Sequence, residues 1–335
     1  MIEGQKKIRM LVKRVNELMK KSEEVVILTH RNADPDALCS AYALRNLLDK
    51  KFPGVDLFIN ADGFSSLSKR IIKEFNIPIE SKIPILPDVV FVLDASNMTQ
   101  LGELGKLYDP KKVPFIVIDH HNPPEEGVSI FDFAYVEPSF VSTSELIFLL
   151  WKEMGMIPGP ELATLLMVGI VYDSRRLFYV DELTFEVMRE LIQAGGDYRK
   201  ALLLLQQEMD QSEKIARLKS AQRAKILKIG GWIIAYSNVS SYEASACRAL
   251  IELGADLAIV LSERKNEVRI SVRSTNKFYN ETGINVGRDL LSPLGEIVEG
   301  EGGGHATAGG LNGKRNGKKA LRIILETLRD KISRG

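Results

Sequence analysis

The chain has 335 residues, 45% hydrophobic and 27% charged, which fits a soluble globular protein and is too long for one ordinary core. Its 45 basic and 44 acidic residues leave a formal net charge of +1, which excludes a global basic field able to hold long nucleic acid non-specifically. Cys39 and Cys247 lie far apart, make no metal-ligand spacing, and are expected as small buried hydrophobes in a reducing compartment.

The N-terminal MIEGQKKIRMLVKRVNELMKK is charged throughout and lacks the apolar core of a signal peptide. Three Val- and Ile-rich runs then share one form: 25-VVILTH-30, 89-VVFVLD-94 and 115-FIVIDHH-121. Continuous apolar runs of this length read as parallel strands covered on both faces. Each ends on His or Asp, at the edge where open parallel sheets bind ligands. Residues 35–50 carry an apolar stripe at Ala37, Ala41, Leu44 and Leu48, and 142–154 and 160–173 read as further helices. The longest nearly apolar stretch, 162-LATLLMVGIVY-172, is too short to span a bilayer, so a cytoplasmic protein without a membrane partner is expected. The alternation predicts an α/β domain with a parallel sheet over residues 1–200.

Between Lys214 and Lys228 there are six basic residues and no acid, on a helical pattern. This segment is read as part of a helical connector, 201–230: a solvated helix, with a basic wall facing phosphate as the functional alternative. A smaller α/β domain is predicted over 231–335. Its candidate strands are 232-WIIAYS-237, 257-LAIVLS-262 and 267-EVRISVRS-274, the last alternating Val268, Ile270 and Val272 with Arg269, Ser271 and Arg273. The segment 300-GEGGGHATAGG-310 has six glycines in eleven residues and is read as a loop that lets backbone approach a ligand. A final helix is expected over about 316–333.

In 29-THRNADPDALCSAY-42, His30 ends a strand while Asp34 and Asp36 flank Pro35 at a helix start. Asp34 fits a helix cap with Pro35 in the first turn. His30 and Asp36 are not explained that way. Two carboxylates this close repel unless cations compensate them. Asp94 and the pair Asp119–His120 add acids and an imidazole at two further strand ends, and Asp173 closes an apolar helix. Each residue has an ordinary reading as a cap or turn. Jointly they form a metal site, because three strand ends and one helix end deliver ligands together. The donors are imidazole nitrogen and carboxylate oxygen without thiolate, which favours Mn, with Mg, Co or Fe as other occupants. Two metals side by side would clamp a phosphoryl group for in-line displacement.

These motifs resemble those of the DHH phosphoesterases: His-x-x-x-Asp-x-Asp at His30–Asp36, the strand-end Asp94, the Asp119-His120-His121 triplet and the later Asp173. Gly302-Gly303-Gly304-His305, with Arg273-Ser274 ahead of it, resembles the DHH-associated C-terminal domain. The resemblance runs from residue 30 to residue 310 and is closest to the NrnA (nano-RNase and pAp-phosphatase) and RecJ-like group. It implies that His30, Asp34 and Asp94 hold one Mn and that Asp36, Asp94, His120 and Asp173 hold the second, with Asp94 bridging. It further implies that Asp119 orients a ligand histidine or the loop, that His121 faces the substrate phosphate, and that catalysis rests on Asp36, Asp94, His120 and His121. Arg273, Ser274, Gly303, Gly304 and His305 would bind substrate, with the active site in a cleft between the domains. Where this group usually has Asp-Thr-Gly, the chain reads Asp173-Ser174-Arg175-Arg176, so Arg175 and Arg176 are either further phosphate ligands or surface charge.

The reading that results is a Mn-dependent phosphohydrolase acting on short single-stranded RNA or DNA and on nucleotides such as pAp, of the oligoribonuclease type. A RecJ-like single-strand exonuclease and a cyclic-dinucleotide phosphodiesterase are the alternatives within the class. A nucleotide-binding regulator that has lost catalysis is the alternative outside it. A homodimer is the candidate assembly.

Overall fold

A computed structural model describes residues 2–123, 128–206 and 209–334, in two compact units, Met1–Gln207 and Glu208–Gly335. The first unit runs α1 (Ile2–Met19), β1 (Glu24–Thr29), α2 (Pro35–Lys51), β2 (Asp56–Asn60), α3 (Ser66–Phe75), β3 (Val89–Leu93), β4 (Phe115–Asp119) and β5 (Phe133–Val136). It continues through α4 (Thr143–Glu153), α5 (Pro160–Asp173), α6 (Glu182–Gln193) and α7 (Tyr198–Leu204). The five strands form one parallel sheet in the order β2-β1-β3-β4-β5.

Alternation along each strand separates two cores. Val25, Ile27, Phe91 and Ile116 pack against the helices, and Val26, Leu28, Val92 and Phe115 pack with Leu101, Tyr108 and Phe131 on the other face. The apolar runs lacked alternation in sequence because both faces are buried. The chain leaves β1 for β2 on one side and for β3 on the other, so the order reverses between β1 and β3. Such a reversal opens a crevice at the carboxyl ends of the strands. His30 and Asp94 stand there.

The second unit runs α8 (Gln211–Arg223), β6 (Lys225–Ile229), β7 (Trp232–Asn238), α9 (Glu243–Glu252), β8 (Leu257–Arg264), β9 (Glu267–Ser274), α10 (Asn276–Thr282), α11 (Gly295–Val298), β10 (Glu301–Gly304), β11 (Ala308–Gly313) and α12 (Gly317–Arg334). Its sheet has the order β10-β11-β9-β8-β7-β6, with β7 and β8 parallel and the other pairs antiparallel. One face packs Ile259, Ile270 and Val272 with Phe278, Ile324 and Leu328, and the other packs Ala258 and Val260 with Cys247 and Leu250 of α9.

Two expectations are corrected here. The segment read as a connector over 201–230 is not one helix. Its first residues belong to α7, Gln207 and Glu208 lie outside the described residues, and α8 and β6 are parts of the second unit. Lys225 and Lys228 looked like a helix surface, yet lysines also mark an edge strand, which β6 is. The glycine segment is a hairpin of paired strands, Gly303 opposite Gly310, and not a loop. Four of its glycines are there for packing, Gly300 because a Cβ would strike the Asn312 carbonyl. A Cβ on Gly302 would strike the Leu291 carbonyl, one on Gly304 (φ +145°) the Ala308 carbonyl, and one on Gly309 the Gly303 carbonyl. Gly303 is different, since a Cβ there would meet nothing within 4 Å.

Candidate metal centre

The Asp-Pro-Asp turn does two jobs with its acids. Asp34 caps α2, its Oδ1 accepting from the backbone N–H groups of Asp36 at 3.0 Å and Ala37 at 3.1 Å. Asp36, one position into the helix, is fully buried. Its Oδ2 accepts from the Thr143 N–H at 2.7 Å and its Oδ1 from the Ser144 N–H at 3.0 Å, so the amino end of α4 grips the carboxylate. An anion at a helix amino end satisfies otherwise unpaired N–H groups.

Asp94 follows β3 with φ +59°, a left-handed conformation that aspartate tolerates better than most residues. That bend takes its side chain off the strand path. The carboxylate is buried and accepts from the Thr143 hydroxyl at 2.9 Å. Thr143 therefore holds two of the acids at once, one with its backbone and one with its side chain. The sequence reading missed it; the signal was Ser142 with Glu145 three residues on, a helix-start pattern placed on acids distant in the chain.

His30 Nε2 lies 3.5 Å from Asp94 Oδ2 and 3.8 Å from Asp34 Oδ1, while its Nδ1 is 2.9 Å from the Arg31 carbonyl. His120 Nε2 lies 3.1 Å from Asp173 Oδ2 and 3.4 Å from Asp94 Oδ1 but is aligned for a hydrogen bond with neither, so a buried donor atom is left unpaired. Asp119, fully buried, accepts at Oδ1 from both the His121 N–H, at 3.1 Å, and the His121 ring Nδ1, at 2.8 Å. Of the two adjacent histidines, the ring oriented by Asp119 is thus His121, which is half exposed.

His30, Asp34 and Asp94 each offer one ligand atom within 4.8 Å of the others, and so do Asp36, Asp94, His120 and Asp173. A third such set is Asp94, His120 and His121, so Asp94 is common to all three. Together with Arg31, Thr99 and Gln100, the residues His30, Asp34, Asp94 and His121 line an open cavity of about 460 Å³. Arg31 is the arginine of that wall, and the sequence reading did not select it. Arg175 and Arg176 lie elsewhere, exposed beyond Asp173 in a left-handed turn (φ +50° and +62°) that continues at Leu177 (φ +64°). The Arg175 guanidinium sits 5.3 Å from the centre of the Tyr179 ring.

The electrostatics show what this cluster needs. Burial, with Asp173 and Asp94 close by, pushes the Asp36 carboxyl well above the usual range. Burial raises Asp173 too, against the pull of His120. Burial also acts upward on Asp94, but His120 and His30 outweigh it and hold Asp94 below the usual range. Burial would lower both imidazoles, yet Asp34 and Asp94 push His30 up to about 11, and Asp173 and Asp94 push His120 up to about 11. Protons on the histidines thus take the place of cations among the carboxylates. The unpaired Nε2 of His120 and the mixed nitrogen and oxygen donors fit divalent ions in that place.

In the second unit, Arg273, Gly304 and His305 line a cavity of about 450 Å³ with Glu243 and Arg269. Arg273 Nε is buried there without a hydrogen-bond partner, whereas Ser274, the next residue of β9 and therefore on the opposite face, is not part of that lining. Gly303 pairs with Gly310, and Gly310 with Ser271, on the sheet face that bears Arg269 and Arg273.

Thr143→Val keeps the side-chain shape and the backbone grip on Asp36 but removes the hydroxyl from Asp94. Turnover of a phosphodiester is expected to fall roughly 10- to 100-fold, as for other partners of metal ligands. Wild-type kcat and metal content in this variant would show that the hydroxyl does not position Asp94.

Residues 24–170 match the profile described as DHH family, N-terminal domain. The uncharacterized protein MJ0988 of Methanocaldococcus jannaschii is 35% identical over 92% of this chain and 93% of its own length. The probable bifunctional oligoribonuclease and PAP phosphatase NrnA of Streptococcus mutans is 26% identical over 88% of this chain and 91% of its own. Among solved structures, an exopolyphosphatase-related protein from Bacteroides fragilis shares the fold, with a TM-score of 0.63 and 19% identity over 97% of each chain. With strand-end acids and histidines gathered as above, and a relative this similar along nearly the full length of both chains, the chain belongs to the DHH family of phosphoester hydrolases.

Proposed function

We propose that the protein is a Mn-dependent phosphodiesterase that hydrolyses short oligonucleotides and removes the 3′-phosphate of pAp. One observation carries the reading: two ligand sets of nitrogen and oxygen donors share the buried carboxylate of Asp94 beside an open cavity that contains Arg31 and His121. The likeness to the Streptococcus mutans protein named as an oligoribonuclease and PAP phosphatase supports the substrate class.

His30, Asp34 and Asp94 would hold one ion, and Asp36, Asp94, His120 and Asp173 the other. When bound, two such ions stabilise charge on the phosphoryl oxygens and make water a nucleophile at neutral pH. The chain's own residues do the rest. The Arg31 carbonyl takes the Nδ1 proton of His30 and leaves its Nε2 lone pair facing the acids. The Asp119 carboxylate holds the His121 ring through Nδ1, so Nε2 can donate to a phosphate oxygen. Arg31 adds a second cation for that phosphate. The near-neutral net charge suits short substrates over long strands.

The test is turnover of short labelled oligoribonucleotides, oligodeoxyribonucleotides, pAp, cyclic dinucleotides and pyrophosphate, after chelation and after return of Mn, Mg or Co. Activity lost on chelation and restored best by Mn, on oligonucleotides and pAp, is expected. Activity that survives thorough chelation would overturn the two-metal reading, and activity confined to pyrophosphate or cyclic dinucleotides would overturn the substrate.

For the second unit we propose that Arg273 and His305 take a substrate phosphate in the cavity they line together, the unpaired Arg273 Nε supplying a donor. His305→Ala is expected to lower kcat/KM for oligonucleotides and pAp roughly 10- to 100-fold, the loss of one charged hydrogen bond. Metal content and melting temperature should stay near wild type. Equal losses on a small artificial phosphodiester would place His305 at the chemical step instead.

A further inference from the structure

We infer that the second unit carries another, non-catalytic binding site, for a base bearing phosphates, at the carboxyl ends of the parallel strands β7 and β8. A cavity of about 740 Å³ lies there, walled by Arg223, Lys225, Arg264, Lys265, Lys318 and Tyr236. That volume is in the range of sites that enclose a small ligand, roughly 300–1,000 Å³. It shares no lining residue with the cavity of His305 or with that of His121.

The charge is what needs a ligand. Among the described residues, none of the five cations has a carboxylate partner. Glu263 is the acid of the wall, and it is already engaged, accepting from the Gly317 N–H at 3.0 Å where α12 begins. Two of the cations are anchored and not free to swing away. Arg264 Nη2 donates to the Ser240 carbonyl at 2.7 Å, and Arg223 Nη1 donates to the Asn238 carbonyl at 3.4 Å. The positive end of an 18-residue helix adds to the same potential, with Lys318 in its first turn. In a chain whose net charge is +1, five uncompensated cations around one cavity call for an anion of several charges.

Tyr236 decides which anion. It stands opposite Lys225 in the β6–β7 register, half-buried, packed on one side against the core of the unit and lining the cavity with the cations. An aromatic face beside basic side chains is the pairing that stacks a base while the phosphates are held. A bare polyanion would have no use for it. Part of the basic run that the sequence displayed between Lys214 and Lys228 thus enters this wall, through Arg223 and Lys225. The shared chemistry is a nucleotide unit, either free or within a single strand that the catalytic centre trims elsewhere.

The test uses the full chain and a hydrolysis-resistant, labelled phosphorothioate oligonucleotide, with AMP, ATP and heparin as competitors. Reversing two charges in Arg264→Glu/Lys265→Glu is expected to weaken oligonucleotide binding at least about tenfold and to reduce the salt slope by about two. Lys318→Glu is a second variant that protects against misfolding, because an acid suits a helix amino end. Tyr236→Ala should weaken oligonucleotide binding roughly 5- to 100-fold, the range for one lost stack, and leave heparin binding unchanged. Turnover of a small phosphodiester should not change in any of them. Displacement by AMP or ATP at low concentration identifies a free nucleotide as the ligand, and displacement only by longer strands identifies the single strand. Wild-type oligonucleotide and nucleotide binding in all three variants overturns the site. So does a loss in the charge variants that heparin shares, with Tyr236→Ala silent, since that describes charge without a base. Binding here does not depend on the metal centre, so a failure of metal-dependent turnover would leave this result standing.

Discussion

Asp94→Ala is expected to reduce turnover of phosphodiesters by roughly 10³-fold or more, the loss of several kcal/mol of charge stabilisation in the transition state. The reason is geometric. Asp94 is common to every set of ligand atoms in the cluster, so its removal takes a donor from both proposed ions at once. The left-handed backbone at this position complicates alanine, which is strained there by about 1–2 kcal/mol. Asp94→Asn is the control. Asparagine accepts φ +59° and can keep the Thr143 hydrogen bond, but it lacks the charge. Both variants should lose activity and metal, and only alanine should also lose appreciable thermal stability. Two metals per chain by elemental analysis in either variant would remove the bridging role from Asp94.

Gly169→Ala is expected to damage both fold and activity, although alanine in a helix interior ordinarily stabilises by about 1 kcal/mol relative to glycine. Gly169 lies within α5, four residues before Asp173, where α5 crosses the start of α4. A Cβ there would overlap Ser144 Oγ and Asp36 Oδ1 and come within 2.9 Å of Ser144 Cβ. Asp36 cannot withdraw, because it is fully buried and held by two N–H groups of α4, so turning the unpartnered Ser144 hydroxyl aside would still leave that overlap. Either α5 moves outward, carrying Asp173, or the Asp36 carboxylate turns. Overpacking of this kind costs about 1–3 kcal/mol. A misplacement of about 1 Å in a catalytic constellation costs roughly 10²-fold in rate. A melting temperature equal to or above wild type, with normal kcat, would show that the helices accommodate the methyl group and that the crossing does not set the position of Asp36.

The parallel sheet and the three strand ends that carry His30, Asp94 and the Asp119–His120 pair were legible in the sequence. These are local properties. A strand buried on both faces writes a contiguous apolar run, and the residue that ends it is read from the same short segment, as with Asp94 after Val89–Leu93. The six candidate ligands could be chosen for the same reason, since imidazole and carboxylate at strand and helix ends are unusual enough to stand out together. Tertiary structure decided the rest. The grip of α4 on Asp36 joins residues 107 positions apart, and no pattern around either one announces the other. Gly169 reads as an ordinary helix-weakening glycine until α5 is laid across α4. The glycine-rich segment, expected as a loop, and the end of the lysine-rich segment, expected to continue the helix that stops at Arg223, were assigned the wrong local form, because β10 and β6 are the outer strands of a sheet whose order is set by partners distant in sequence. In β10 and β11 Gly302, Gly304 and Gly309 answer to the backbone packed against them. In β6 the lysines mark the edge. Local sequence specifies what a segment offers; which face it presents and what approaches that face are set only when the chain closes on itself.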